Sequence, residues 1–463
     1  MNIETLAAKY SAIPPHWKLS TLGESLTVII GGGTPSRDNP SFWGGDIPWL
    51  TVKDMRRRRP TDAQEHITQQ AVKESATNII PPDTVITATR VGLGKVVRVP
   101  FAAAINQDLK ALVVGPDLDK SYLEYLLVSI ATFLESIGSG TTVKGIRLET
   151  LRQLPIPLAP LQEQREIVAE LEKQFSRLDE AVANLQRVKA NLKRYKASVL
   201  KAAVEGRLVE TEAALAHREG RTYETGEQLL NGVVVERKVH RAAKGKTQDA
   251  ATSVVKNLPQ LADGWAWASV EEVGRLQLGR QRAPKYHAGA NMRPYLRVQN
   301  VFEDRIDLSD VMEMEFSEAD FERFELHSGD VLLNEGQSPE FLGRPAIYRN
   351  QLPGVCFTNT LIRFQAYRCV LPEFALVFFR HCMHSGRFAK ESNITTNIAH
   401  LSLGRLATVE FPVPPLAEQQ RIIFEFDRQM SIVREVEAEV AANLKRAQAL
   451  RQATLSKAFQ QMQ

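Results

Sequence analysis

Four short segments of this 463-residue chain occur twice, in the same order. Trp17 corresponds to Trp265, an offset of 265 − 17 = 248. Ile47-Pro48-Trp49-Leu50-Thr51-Val52-Lys53-Asp54-Met55 matches Arg293-Pro294-Tyr295-Leu296-Arg297-Val298-Gln299-Asn300-Val301, with 294 − 48 = 246. Pro82-Asp83-Thr84-Val85-Ile86 matches Gly329-Asp330-Val331-Leu332-Leu333, with 329 − 82 = 247. Pro160-Leu161-Gln162-Glu163-Gln164 matches Pro415-Leu416-Ala417-Glu418-Gln419, with 415 − 160 = 255. One such match would be chance. Four in order, at nearly one offset, mean two copies of one unit, with a period far too long for a solenoid.

Each copy has a globular part and a helical part. Between Trp17 and Pro157, and again between Trp265 and Pro414, short β-branched runs such as Val96-Val97-Arg98-Val99 and Val331-Leu332-Leu333 alternate with turn residues and read as strands. Helical stretches intervene at Tyr122–Leu134 and Phe374–Met383, so each globule is expected to be α+β. The helical parts carry apolar stripes: Leu171, Phe175, Leu178, Val182, Leu185, Val188, Leu192, Tyr195 and Val199 in one, Ile423, Phe426, Met430, Val433, Val440, Leu444, Ala447, Leu450 and Leu455 in the other. Steps of three and four sustained over several heptads are a coiled-coil pattern. Leu161 to Glu205 is 205 − 161 + 1 = 45 residues, about 67 Å of helix. Pro160 and Pro415 are well placed as helix entries. Helices with such stripes need partners. The expected fold is therefore two α+β globular domains joined by two long helices that pair as an antiparallel coiled coil around a pseudo-two-fold axis. The expected boundaries are 1–157 and 258–414 for the globules, 158–206 and 415–463 for the helices, and 207–257 for a connector. Within the connector, Glu224–Arg237 reads as a short helix and the Ala-, Lys- and Gln-rich stretch Arg241–Asp249 as linker.

Composition excludes more than it identifies. Hydrophobic residues make up 43% and charged residues 24%, so disorder is not the dominant state. Lys+Arg 58 against Asp+Glu 54 leaves a net charge of +4, too mild to mark a nucleic-acid binder unless the basic surface is local. Cys356, Cys369 and Cys382 form no C-x-x-C pair, which argues against a zinc ribbon or disulfide framework and fits a reducing cytoplasm. No apolar run approaches the roughly 20 residues of a membrane span, and the start, with Glu4, is not expected to be a secretory signal. Gly92-Leu93-Gly94-Lys95 is no phosphate loop, Gly31-Gly32-Gly33 reads as a turn, and Asn39-Pro40-Ser41-Phe42 lacks the second proline of an adenine-gripping motif. No metal or catalytic set is expected.

With its globule–helix–globule–helix order, P-L-x-E-Q helix openings, P-[WY]-L-x-V segments and [PG]-D-x-[VL] turns, the chain resembles, over essentially its whole length, the specificity subunit of type I restriction–modification systems. The resemblance implies target recognition domains in the globules and a helical spacer that docks methyltransferase subunits. It implies a cytoplasmic, non-catalytic reader of a bipartite, asymmetric site in double-stranded DNA, without a membrane partner. Two methyltransferase subunits would bring S-adenosylmethionine, and the restriction subunits would use ATP and Mg; this chain would bind no cofactor itself. The competing readings are a fused DNA adenine methyltransferase, which lacks its cofactor motif here, and a coiled-coil scaffold that reads no DNA.

Base reading needs forked or amide side chains, and phosphate contacts need cations. In the first globule the candidates are Lys53, the run Arg56-Arg57-Arg58-Arg59, Arg90 and Lys95 around a glycine turn, and Lys144 and Arg147 after Gly140-Thr141-Thr142. In the second, the corresponding stretches carry Arg297, Gln299 and Asn300, then Asn334, Gln337 and Arg344, then Thr395, Thr396, Asn397 and His400. Matched frameworks with unlike polar loops are what two readers of different half-sites require.

Overall fold

The computed structural model describes residues 3–140, 144–243, 258–390, 393–395 and 398–459. The chain divides into two compact units, Met1–Arg187 with Val440–Gln463, and Val188–Glu439.

In the first unit a four-stranded antiparallel sheet has the order Leu26–Gly31, Leu109–Val114, Val85–Ala88, Val96–Arg98. A second sheet runs Glu65–Ile67, Trp43–Leu50, Ala103–Ile105, Ile79–Ile80, and its central pair is parallel, Trp49 opposite Ala104 and Leu50 opposite Ile105. Helix Lys120–Ser129 is capped by Asp119, whose carboxylate accepts from Ser121 N and Tyr122 N. Its Tyr122, Leu123, Leu126 and Leu127 are buried in the main core.

The second unit repeats this plan. Its four-stranded sheet has the order Gly274–Leu278, Leu361–Ala366, Val331–Asn334, Pro345–Ile347. Its parallel pair sets Tyr295 opposite Cys356 and Leu296 opposite Phe357, and its main helix is Pro372–His384. The duplication is thus one of topology and register. One sequence match moves by a residue: Asp83 (φ 60°) and Gly329 (φ 95°) both sit in left-handed backbone. Their N–H groups donate to Val99 O (2.7 Å) and Tyr348 O (2.9 Å). The partner of Asp83 is therefore Gly329, and the offset 329 − 83 = 246 equals that of Pro48 and Pro294.

The recurrent tryptophan and the P-L-x-E-Q motif prove to be halves of one fastening. Trp17 Nε1 donates to Glu163 Oε1 at 3.0 Å, and Trp265 Nε1 to Glu418 Oε1 at 2.9 Å. Gln164 Nε2 donates to Asp117 O and Ala159 O, both at 2.8 Å, while its Oε1 accepts from Asp119 N. Gln419 repeats this with Cys369 O, Pro414 O and Leu371 N. Both glutamines are fully buried with every strong hydrogen-bonding direction used. They tie each long helix to the loop that precedes its domain's main helix. The two-stranded ladders Lys18–Thr21 with Pro155–Leu158 and Ala266–Ser269 with Glu410–Val413 close the same junctions.

The long helices are Leu161–Val204 and Leu416–Ala458. In the first unit, Leu171 and Phe175 share a core with Leu455 and Phe459, and Arg451 pairs with Asp179 while its guanidinium lies 4.5 Å from the Phe175 ring centroid. In the second unit, Val199, Leu200 and Ala203 pack with Ile422, Phe426 and Met430, and Lys196 Nζ lies 2.8 Å from Glu437. The early part of one helix meets the late part of the other, so they pair antiparallel. Val433, Val440 and Ala447 are buried along the second helix, whereas Val188 is 38% and Leu450 57% exposed.

The connector holds helices Glu212–Glu219 and Gly226–Ala243, the second longer than the sequence expectation. Most of the expected linker, residues 244–249, lies outside the described residues. The three cysteines are free and buried. Burial pushes the Cys356 and Cys369 thiols up to about 12, so they behave as small apolar residues.

Candidate nucleic-acid interface

In each unit the loops at one end of the sheets converge on a three-residue crossing. In the first unit it is Asn106-Gln107-Asp108. Asn106 N donates to Leu50 O (3.0 Å), where the 51–59 loop begins. Gly33 N donates to Ile105 O (3.0 Å), and Thr89 N and Arg90 N donate to Asp108 O at 2.8 and 3.2 Å. Ile146 N then donates to Thr89 O at 2.8 Å, which adds residues 144–147. In the second unit the crossing is Thr358-Asn359-Thr360. Thr358 N donates to Leu296 O (3.1 Å), Arg280 N to Phe357 O (3.0 Å), Glu335 N to Thr360 O (2.9 Å) and Leu401 N to Glu335 O (2.8 Å). Gly32 and Gly279 permit the crossing, because a Cβ there would strike the Ile105 and Thr358 carbonyls.

The structure brings most of the sequence candidates of the first unit together on these loops. Lys53, Arg56, Arg57, Lys95, Lys144 and Arg147 are exposed, and none has a carboxylate within 4.0 Å among the described residues. Arg90 bridges to Gly145 and lies 3.7 Å from Asp108, so the turn around Gly92 and the 144–147 stretch are neighbours. Arg58 and Arg59 have a different task. Helix residue Glu124 is fully buried, and Arg58 (2.6 Å), Arg98 (3.0 Å) and Arg59 (3.3 Å) all donate to it. Arg98 also pairs with Asp83 at 2.7 Å, and Arg58 lies 4.2 Å from the Tyr125 ring centroid. Arg58 and the half-exposed Arg59 are thus tied back to the helix, while Arg56 and Arg57 have no such partner among the described residues.

The second unit corrects more of the expectations. Asn300 is buried: its amide donates to Asp307 O and Asp310 O at 2.9 Å and accepts from Arg297 N at 3.0 Å. Asp54, its counterpart, closes the same turn by accepting from Thr51 N and Gln64 N. Asn334 is fully buried in a strand, with Nδ2 donating to Val301 O at 3.4 Å. Arg297 pairs with Asp310. Arg344 donates Nε to Val301 O at 3.0 Å, with Phe302 4.7 Å away. These four hold the loops rather than present themselves. Gln299 and His400 are exposed, His400 at 3.3 Å from Glu335, and Gln337 is half-buried. Thr396, Asn397 and the side chain of Thr395 lie outside the described residues.

Cations that sequence reading missed lie on the segment 280–293. Arg282, Lys285 and Arg293 are exposed and near aromatic faces, with Lys285 Nζ 4.9 Å from the Tyr286 centroid and Arg293 4.5 Å from Phe321. The signal was present as basic residues interleaved with tyrosine. The 303–310 loop, equivalent to the first unit's arginine run, is instead acidic. There Glu303 and Asp304 pair with helix residue Arg380 at 2.9 and 3.6 Å, and His384 lies 2.9 Å from Glu303. The loop-to-helix clamp recurs with its charges exchanged, so the two units carry their outward cations on different loops.

Among the described residues, no group of three or more His, Cys, Asp or Glu side chains is placed to hold a metal, and no helix is long and apolar enough to cross a membrane. Asn39 is a turn cap, its Oδ1 accepting from Ser41 N and Oγ, and Phe42 beside it is buried.

Comparison with known proteins agrees with this architecture. A specificity subunit of the type I restriction enzyme MjaIX of Methanocaldococcus jannaschii is 30% identical over 34% of this chain and 38% of its own length. That of EcoR124I/EcoR124II of Escherichia coli is 32% identical over 34% and 40%. The chain therefore spans well under half of these two curated relatives, whereas the EcoKI specificity subunit of E. coli K12 is 21% identical over 96% of this chain and 89% of its own length. The fold is shared with the HsdS subunit of Thermoanaerobacter tengcongensis, at TM-score 0.56 and 20% identity, covering 97% of both chains. It is also shared with a chain from a type I R-M system structure, at TM-score 0.65 and 19% identity, covering 96% of this chain and 98% of that one. Residues 14–193 and 263–442 each match the type I restriction modification DNA specificity domain, and the chain belongs to that family.

Proposed function

We propose that this chain is the sequence-reading subunit of a type I restriction–modification complex. Each globular domain reads one half of a bipartite, asymmetric duplex site. The chain itself is non-catalytic and acts in the cytoplasm. Two methyltransferase subunits supply S-adenosylmethionine chemistry, and restriction subunits supply ATP- and Mg-dependent cleavage. The observation that carries the reading is one loop framework, built twice with the same register, displaying unlike polar side chains. Backbone hydrogen bonds fix the loops, and the exposed residues on them differ between the copies. That is how two readers on one scaffold acquire two specificities.

Phosphate contacts make affinity fall with salt, with a slope of about −0.9 per contact. Neutralising Lys53, Arg56 and Arg57 together will therefore reduce the slope of log K against log salt by roughly 2–3. The measurement is DNA retardation by the full chain with its methyltransferase subunits, across a salt series. An unchanged slope would remove this loop from the interface.

A further inference from the structure

The geometry points to Gln107 and Asn359 as a matched pair of specificity-determining residues, each reading an adenine–thymine base pair in its own half-site. This deepens the DNA-reading function proposed above and depends on it.

Both residues sit at the middle of the crossing where the loops of their domain meet. Each follows the parallel strand pair by two residues: Ile105, opposite Leu50, precedes Gln107, and Phe357, opposite Leu296, precedes Asn359. The offset is 359 − 107 = 252, the same as that between Ile105 and Phe357. Both residues are exposed, while the residues before them, Asn106 and Thr358, are buried. The mounts are rigid. Asn106 N and Thr358 N donate to carbonyls at the end of the parallel partner strand, and the Asp108 and Thr360 carbonyls accept from Thr89 N and Glu335 N. Asn359 N also donates to Arg280 O at 3.0 Å.

The side chains, by contrast, keep hydrogen-bonding capacity in reserve. Gln107 Oε1 accepts from Thr34 Oγ1, and its Nε2 has no partner among the described residues. The Asn359 side-chain amide has none there either. Asn300 and Asn334, by comparison, spend their amides internally. An exposed amide on a short side chain, held by a fixed backbone at the centre of a polar loop cluster, can give and accept one hydrogen bond in fixed geometry. The N6 and N7 edge of adenine in the major groove matches that pattern. Exposed cations on the converging loops, Lys53 and Lys144 in the first domain and Arg282 and Lys285 in the second, suit the flanking phosphates.

The test is selection of bound duplexes from a randomised library by the full chain assembled with its methyltransferase subunits. Gln107→Ala is expected to lower the preference for adenine at one position of one half-site about tenfold or more, leaving the other half-site and the salt slope unchanged. Asn359→Ala is expected to do the same in the other half-site. Gln107→Glu should move the preference toward cytosine, because a carboxylate accepts from cytosine N4. This gain cannot come from misfolding. Uniformly weaker binding with the selected sequence intact would overturn the inference, and so would an unchanged selection. If the wild-type complex selects no sequence at all, the DNA-reading function itself fails, and this inference with it.

Discussion

A Glu124→Ala variant will lose about 3–5 kcal/mol of stability in its first domain, because it strands the buried Arg98 rather than merely removing a contact. Glu124 is fully buried and accepts from Arg58, Arg59 and Arg98. Arg98 is itself buried, and without Glu124 it keeps only Asp83 as a carboxylate partner. The pairing of a buried charge is worth little against an apolar replacement, but breaking it from one side costs the full desolvation of what remains. Glu124→Gln keeps the shape and one acceptor oxygen, so it should fall between wild type and alanine. Urea denaturation followed by tryptophan fluorescence reads the difference, since the same domain contains Trp17, Trp43 and Trp49. A loss below about 1 kcal/mol, the range of exposed pairs, would mean that solvent screens the cluster.

The second domain should be the acid-sensitive one, through Glu303. Burial alone would push this carboxyl up from its ordinary value of 4.5, but the His384 hydrogen bond and the Arg380 charge outweigh burial and hold it at about 2. A folded value below the unfolded one means that the ionised form stabilises the fold. That stabilisation is fully present above about pH 4.5 and is lost as the pH falls toward 2. Because Glu303 retains some solvent access, its worth is on the order of 2 kcal/mol rather than the full linkage value. Glu303→Gln should therefore flatten the decline of stability between neutral pH and pH 3 and lower stability at pH 7. Urea midpoints across that range check it. Parallel curves for variant and wild type would show that the clamp does not govern the acid response.

The framework was legible in the sequence because it is made of periodic and repeated features. Tryptophan, proline and the Glu-Gln pair recur at matching positions because each copy needs the same fastening, and apolar stripes mark helices wherever they lie. The loops were less legible because a polar residue type does not say which way it faces. Asn300 and Asn334 have the chemistry of base readers, yet both are buried and satisfy backbone within their own domain. Arg58 and Arg59 look identical to Arg56 and Arg57 until the distant Glu124 is folded against them. An apolar stripe does not say how deeply each residue is buried: Val188 and Tyr195 on one helix and Leu450 on the other are all more than a third exposed. Gln107 and Asn359 were overlooked because single amides between apolar strands carry no pattern of their own. Aligning the two copies at the parallel strand pair would have revealed them, since an exposed amide occupies the same place in both.

The central claim is that two independent readers share one scaffold, and exchanging one of them tests it most directly. Residues 17–157 contain the first domain's sheets, helix and loop crossing and end in the ladder against Lys18–Thr21. Replacing them with the equivalent domain of another family member, and sequencing the methylated sites in cells that carry the hybrid with its methyltransferase subunits, reads both half-sites at once. The predicted result is a new motif in one half and the original motif in the other. A change in both halves, or in neither, would contradict the two-reader account.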